Sequence, residues 1–271
     1  MDWHSRYTQQ AHWTSGLRRY IFSQVDLPAA CRMLEVGCGT GAILQALPAD
    51  LEGLDSTSGQ TCQVELFGLD IDPGALTRAS QEVPSALLVR GDAHQLPFNG
   101  GGFDLVFCHF LLLWVNHPLA VLREMHRLTR PGGWVAAIAE PDYGGRIDFP
   151  EELAVLGRLQ EQSLVRQGAD PRLGRQLQAL FRQAGFSEVE SGLLGAQWRS
   201  FPSRQELDLE WEVLASDLQG MLEPARLEDL RKTNTDAWLS GVRTLFVPTF
   251  YAFGRVPAGE GLNPGAGSRR S

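Results

Sequence analysis

The chain has 271 residues, 43% of them hydrophobic and 21% charged, with a formal net charge of −8. That length suits one large α/β domain with an insertion or two small domains, and the composition buries a core and argues against wholesale disorder. The acidic balance and the lack of a basic stripe argue against a nucleic-acid partner. No apolar run approaches the ~18 residues of a membrane span, and the N-terminus has no signal-peptide core, so a cytoplasmic location with no membrane partner is expected.

Trp13, Leu17, Tyr20 and Ile21 fall at helical spacing and predict a helix over 3–24, ended at Leu27-Pro28. "CRMLEVG" reads as a buried strand that opens into Gly37, Gly39 and Gly41, followed by a helix "AILQAL" stopped by Pro48. Residues 50–62 are polar and read as a loop. "VELFGLDID" is a second strand, and Pro73 opens the next helix, where its missing N–H costs nothing. "SALLVRGDA" and "GGFDLVFCHFLL" are the third and fourth strands. A helix "LAVLREMHRLT" ends at "RPGG", and "WVAAIAEP" is the fifth strand. This alternation predicts a Rossmann-like α/β fold with a mostly parallel sheet and helices on both faces.

After Pro150 the pattern changes. Helices are expected over 151–167, 171–184 and 203–241, with strands at "FSEVESGLLGAQW" and "TLFVPTFYAFGRV", the latter an edge or bulge because of Pro248. The organisation expected is an N-terminal lid helix (1–30), a core (31–145), the rest of the core with helical cap insertions (146–256) and a disordered tail (257–271). Cys31, Cys38, Cys62 and Cys108 show no C-x-x-C spacing and are expected to stay thiols.

The chemistry-bearing motifs lie where strands end. In "LEVGCGTG" the glycines let a ligand lie against bare backbone at a helix N-terminus. Gly37, Gly39 and Ala42 also satisfy the dinucleotide pattern G-x-G-x-x-G/A, so a nicotinamide-dependent oxidoreductase is an alternative. It lacks support elsewhere, since no Tyr-x-x-x-Lys pair is present. In "GLDID", Asp70 ends the second strand, where a carboxylate accepts from both hydroxyls of a ribose, while Asp72 before Pro73 reads as a helix cap. In "GDAHQLPF", Asp92 follows the third strand, placed for an adenine amino group or for an Asx-turn.

In order and spacing, "LEVGCGTG", "GLDID", "GDAHQLPF", "FDLVFCHF" and "RPGGWVAAIAEP" resemble the class I S-adenosylmethionine-dependent methyltransferases of the small-molecule type. The resemblance is strong over 31–145 and weaker at "AGFSEVE" and "TFYAFGR", which look like that family's terminal antiparallel strands in a seven-stranded sheet. It implies S-adenosylmethionine as cofactor, with Glu35 and the backbone at Gly37, Gly39 and Gly41 on the methionine part. Asp70 would hold the ribose, Ile71 would pack on the adenine, and Asp92 and Ala93 would read its edge. His109 and Phe110 would lie near the transferred methyl.

Methyl transfer is an in-line displacement in which positioning and desolvation supply most of the acceleration, so a base is optional. His109 and Glu140 are the leading candidates for one, with His117 and Asp142 behind them. In the lid helix, Tyr7, Trp13 and Arg18 would close over the cofactor, Arg18 pairing with its carboxylate. Asp142, Tyr143 and Trp211 would meet a small organic acceptor. A methyltransferase fold that only binds would show eroded glycines or a lost ribose acid; Gly37, Gly39, Gly41 and Asp70 are all present.

Overall fold

The computed structural model describes residues 3–52, 63–193, 195 and 202–258. The chain opens with helix α1 (Trp3–Gln24) and strand β1 (Ala30–Val36), then α2 (Ala42–Leu51), β2 (Gln63–Asp70), α3 (Pro73–Glu82) and β3 (Leu87–Arg90). Strand β4 (Phe103–His109), α4 (Pro118–Leu128) and β5 (Thr129–Pro141) follow. The second half holds β6 (Ile147–Phe149), α5 (Ala154–Arg166), α6 (Leu177–Gln183) and β7 (Ser187–Leu193). It continues with α7 (Arg204–Asp217), α8 (Pro224–Leu239), β8 (Thr244–Phe246) and β9 (Thr249–Arg255).

Seven strands form one sheet in the order β3-β2-β1-β4-β5-β9-β7. The first five are mutually parallel, as their buried runs and intervening helices demand, and β9 is antiparallel to both β5 and β7. The order reverses at β1, whose neighbours are β2 and β4. The crevice beyond the carboxyl ends of β1 and β4 is therefore where an open α/β sheet takes its ligands. Each face carries an apolar core. One gathers Val106, Cys108, Leu122, Met125 and Phe181; the other gathers Met33, Leu44, Phe107 and Ile138 with Leu17, Ile21 and Phe22 of α1. A third, smaller cluster stands apart over the C-terminal edge: Leu153, Leu156, Trp211, Leu214, Leu218 and Leu230 join α5, α7 and α8. No helix of the described residues is long and apolar enough to cross a membrane.

Four expectations are corrected. Helix α2 is not stopped at Pro48 but runs to Leu51. The extra turn carries Asp50 into a buried contact, where it accepts from Arg18 Nε at 2.5 Å and Ser15 Oγ at 2.5 Å. That pairing outweighs the hydrogen bond Pro48 cannot donate. The long region 203–241 is two helices, broken at a turn that Gly220 closes with φ +73°. "TLFVPTFYAFGRV" is two strands, because the chain passes from one sheet to another at Pro248: β8 pairs with β6 in a separate ribbon, and only β9 joins the main sheet. Residues 171–184 form a 3-10 turn, Leu173–Gln176, before α6. The expected loop from 53 to 62, with Cys62, and the tail from 259 lie outside the described residues. Cys38 and Cys108 are free, buried thiols, and Cys31 is buried as well.

Candidate functional site

The glycine turn shapes the crevice floor. Gly37, Gly39 and Gly41 have φ of +77°, +51° and +81°, a region L side chains rarely enter. The amides of Gly37 and Cys38 donate to the Leu69 carbonyl at 2.7 and 3.0 Å, which ties the turn to the end of β2. There Asp70 accepts from the Gly39 amide at 2.7 Å and the Asp72 amide at 2.9 Å, one on each oxygen. A carboxylate has about four acceptor positions, so two remain for a ligand. Asp72 caps α3 by accepting from the Gly74 amide at 2.8 Å, the role its position suggested.

Glu35, at the end of β1, is 2% exposed, and its Oε2 has no hydrogen-bond partner among the described residues. Burial pushes its pKa up to about 8; Arg18 opposes that rise and Asp70 adds to it. An orphan buried acceptor beside a bare glycine turn suits an ammonium group. With the free acceptor positions of Asp70, it matches the amino group and ribose of S-adenosylmethionine.

Above this floor lies a lobe of about 440 Å³, bounded by Glu35, Gly37, Gly39, Asp70, His109 and Tyr7 among others. The Tyr7 ring covers the turn, 3.7 Å from where a Cβ on Gly39 would stand. A second lobe, about 550 Å³, opens beneath the cap and is bounded by Trp13, Glu210, Trp211, Trp238, Arg243 and Phe246, with further residues of α1 and β5. The lobes share Arg6, Gln10, Phe110, Pro141, Tyr143 and Val213 as walls, so they meet at one neck. Phe110 sits there with φ +52°, a strained conformation for an aromatic residue that turns the chain sharply out of β4.

His109 bounds the first lobe, as expected, but as a neutral ring. Burial, then the Arg18 charge, lowers its pKa to about 3, and Nε2 lies 2.9 Å from the Thr14 hydroxyl. Buried in this way, the ring is a weak proton acceptor near neutral pH.

Glu140 lies elsewhere than its expected role at the pocket floor would place it. It is fully buried and bounds neither lobe. Its oxygens accept from the amides of Leu111 (3.0 Å), Leu112 (2.9 Å) and Leu113 (3.3 Å), and burial raises its pKa to about 7. A bulge opposite β9, with Ala139 at φ +61°, turns Glu140 toward that loop. It fixes the segment after β4 rather than touching a ligand.

Three other expectations are revised. Arg18 is fully buried between Asp50 and the Thr14 hydroxyl (2.7 Å from Nη1), away from both lobes, so it does not pair with a cofactor carboxylate as placed. Asp142 is held by Arg175 through both its oxygens and points away from the neck that its neighbour Tyr143 bounds. Trp13 bounds only the second lobe, under the Arg6 guanidinium at 4.8 Å.

Ile71, Asp92 and Ala93 lie outside both walls. Ile71 is 64% exposed at the crevice rim, and Asp92 Oδ1 accepts from the His94 amide and Nδ1 in a local turn. The Gly91 amide donates to the Asp70 carbonyl at 3.0 Å, which keeps this strand exit next to the Asp70 end of the crevice. His117 stands at the N-cap of α4, off both walls. Trp211 bounds the second lobe with only 7% exposure, mainly filling the cap core.

Arg6, Gln10 and Glu210 escaped the sequence reading. For the first two a signal existed: Trp3, Arg6, Gln10 and Trp13 lie three or four apart and share one helix face. Glu210 is one of many acidic residues in its helix and carries no local signature.

Residues 34–137 match the family model for a methyltransferase domain. The chain is 32% identical over 193 residues to a demethylmenaquinone methyltransferase of Geobacillus kaustophilus, covering 64% of this chain and 78% of that one. It is 27% identical over 260 residues to an uncharacterized methyltransferase of Schizosaccharomyces pombe, covering 86% and 91%. Among solved structures, a Haemonchus contortus phosphoethanolamine N-methyltransferase bound to S-adenosylhomocysteine aligns with a TM-score of 0.52 at 16% identity. That alignment covers 86% of this chain and 50% of the other. The sheet order, the glycine turn with Asp70 at the end of β2, and these likenesses agree: the chain belongs to the class I S-adenosylmethionine-dependent methyltransferase family.

Proposed function

We propose that the protein methylates a small organic acceptor with an apolar body, holding the cofactor in the first lobe and the acceptor in the second. The observation that carries this reading is the neck: two lobes of comparable size meet at Arg6, Phe110 and Tyr143, beyond the glycine turn where a cofactor's reactive end would emerge. The cofactor supplies an electrophilic methyl group on a good leaving group. The chain binds, orients and excludes water. Glu35 takes the ammonium, Asp70 the ribose hydroxyls, and Tyr7 covers the turn. Ile71, Asp92 and Ala93 would meet the adenine at the rim. Tyr143 and Phe110 narrow the neck, and His109 packs beside it as an uncharged ring.

The cap comprises α5, α7 and α8, close to the expected 151–167 and 203–241, with α1 as the lid of a core running from β1 to β5. The aromatic walls of the second lobe and the net charge of −8 favour a small molecule over nucleic acid. Free buried thiols accord with a cytoplasmic location.

Calorimetry tests the reading. S-adenosylhomocysteine should bind and NAD should not. Asp70→Ala should weaken S-adenosylhomocysteine at least tenfold, since hydrogen bonds to a charged group contribute about 1.5–3 kcal/mol each. NAD binding without S-adenosylhomocysteine affinity would sink the assignment.

A further inference from the structure

The second lobe carries two opposite charges that do not pair. Glu210, on α7, bounds it and makes no hydrogen bond or salt bridge among the described residues. Arg6, on α1, bounds both lobes; its Nη1 donates to Gln9 at 2.8 Å, while Nη2 has no partner among the described residues. The two groups feel each other's charge yet lie too far apart for a salt bridge. Every other charge of the cap floor is engaged. Asp148 takes Arg146 Nε at 2.7 Å and Arg243 Nη2 at 2.6 Å, Arg146 Nη1 reaches Gln160 at 2.5 Å, and Gln160 Nε2 reaches Asp217 at 2.8 Å.

A carboxylate and a guanidinium that bound one lobe without pairing with each other can both be satisfied by a single group. A hydroxyl gives its proton to the carboxylate while its oxygen accepts from the guanidinium. Five aromatic rings, Trp13, Trp211, Trp238, Phe110 and Phe246, share the wall with polar side chains and with Arg146 and Arg243. His109 bounds only the first lobe and is engaged with Thr14, and Glu140 bounds neither lobe.

We propose that the acceptor is a phenol or other weakly acidic hydroxyl compound with an aryl body, that Glu210 is the catalytic base, and that Arg6 holds the oxygen as its negative charge develops. This rests on the two-lobe reading. The O–H bond breaks and its proton passes to the Glu210 carboxylate. The freed oxygen pair bonds the methyl carbon, and the methyl–sulfur pair leaves on the sulfur of the demethylated product. Burial of Glu210 raises its pKa and so its strength as a base; Arg6, Arg146 and Arg243 oppose the rise, and Asp148 reinforces it.

The test uses the full chain, saturated with S-adenosylhomocysteine, and two probes differing at one atom: 4-phenylphenol and its methyl ether. The wild type should bind the phenol at least tenfold more tightly than the ether. Glu210→Gln should abolish that preference by weakening the phenol alone, with S-adenosylhomocysteine affinity unchanged. With S-adenosylmethionine, Glu210→Gln should lower kcat for 4-phenylphenol at least a hundredfold, and Glu210→Asp should recover part of it. Equal binding of phenol and ether by the wild type overturns the proposal, as does a Glu210→Gln variant with full turnover. Failure of S-adenosylhomocysteine itself to bind the wild type would instead overturn the two-lobe reading beneath it.

Discussion

At the scale of single residues, the cofactor floor stores a cost that a ligand can relieve. The Glu35 pKa is raised from an ordinary carboxylate's 4.5 to about 8, chiefly by burial, so the folded state prefers the protonated form. The stability this contributes is complete below about pH 4.5 and is lost as pH rises toward about 8, at most about 1.4 kcal/mol per pH unit. Glu35→Gln has no such proton to lose. Its urea stability should therefore gain on the wild type steadily between pH 5 and pH 8, and saturating S-adenosylhomocysteine should flatten the difference by pairing its ammonium with the carboxylate. A constant offset across that range would show that Glu35 is charged, or already compensated, in the ligand-free protein. Comparing slopes rather than absolute stabilities avoids any packing effect of the amide.

At the scale of elements, α1 is both lid and anchor, divided along its length. Its first half presents Arg6, Tyr7 and Gln10 to the lobes, while Leu17, Ile21 and Phe22 are buried against the sheet and α2. The two halves should separate by mutation. Ile21→Ala, at a fully buried position, should cost about 2–5 kcal/mol of stability in denaturant titrations. Tyr7→Ala, on a side chain 37% exposed, should leave stability within about 0.5 kcal/mol but weaken S-adenosylhomocysteine severalfold. Equal stability losses from both would make α1 a docking helix only.

The β-α alternation, the three glycines, Asp70 and the Asp72 cap were legible because each is local: periodicity, a turn or a strand end. Pro48 misled because the Asp50–Arg18 pair that extends α2 links residues 32 positions apart. The end of "TLFVPTFYAFGRV" misled because β8 and β9 have different partners, which no strand propensity encodes. Glu140 looked catalytic because the bulge that turns it inward depends on register against β9. The Arg6–Glu210 juxtaposition was illegible because it is made only when α1 and α7 close over the same lobe.

At the scale of the whole molecule, the cap has its own apolar cluster, separate from the two that sandwich the sheet. Trp211→Ala should cost about 3–5 kcal/mol where it is felt. Because the contacts it breaks are within the cap, hydrogen exchange should rise first in α5, α7 and α8, with the amides of β1, β4 and β5 still protected. Uniform loss of protection across the sheet would show that cap and core unfold as one unit.

The position of β9 ties the order of synthesis to the completion of the site. This strand is wedged between β5 and β7, both made earlier on the ribosome, and Thr249 at its start pairs with Pro141 and also bounds the second lobe. Until it emerges, β5 has an open edge, and the lobe lacks both this wall and the Val247 turn just before it. The cofactor half of the crevice, built from β1, β2 and β4, needs none of these residues. A nascent chain can therefore assemble the glycine turn and Asp70 well before it can enclose the second lobe. A chain cut short before Thr249 would lose the seal of its sheet and the wall of its acceptor lobe in the same event.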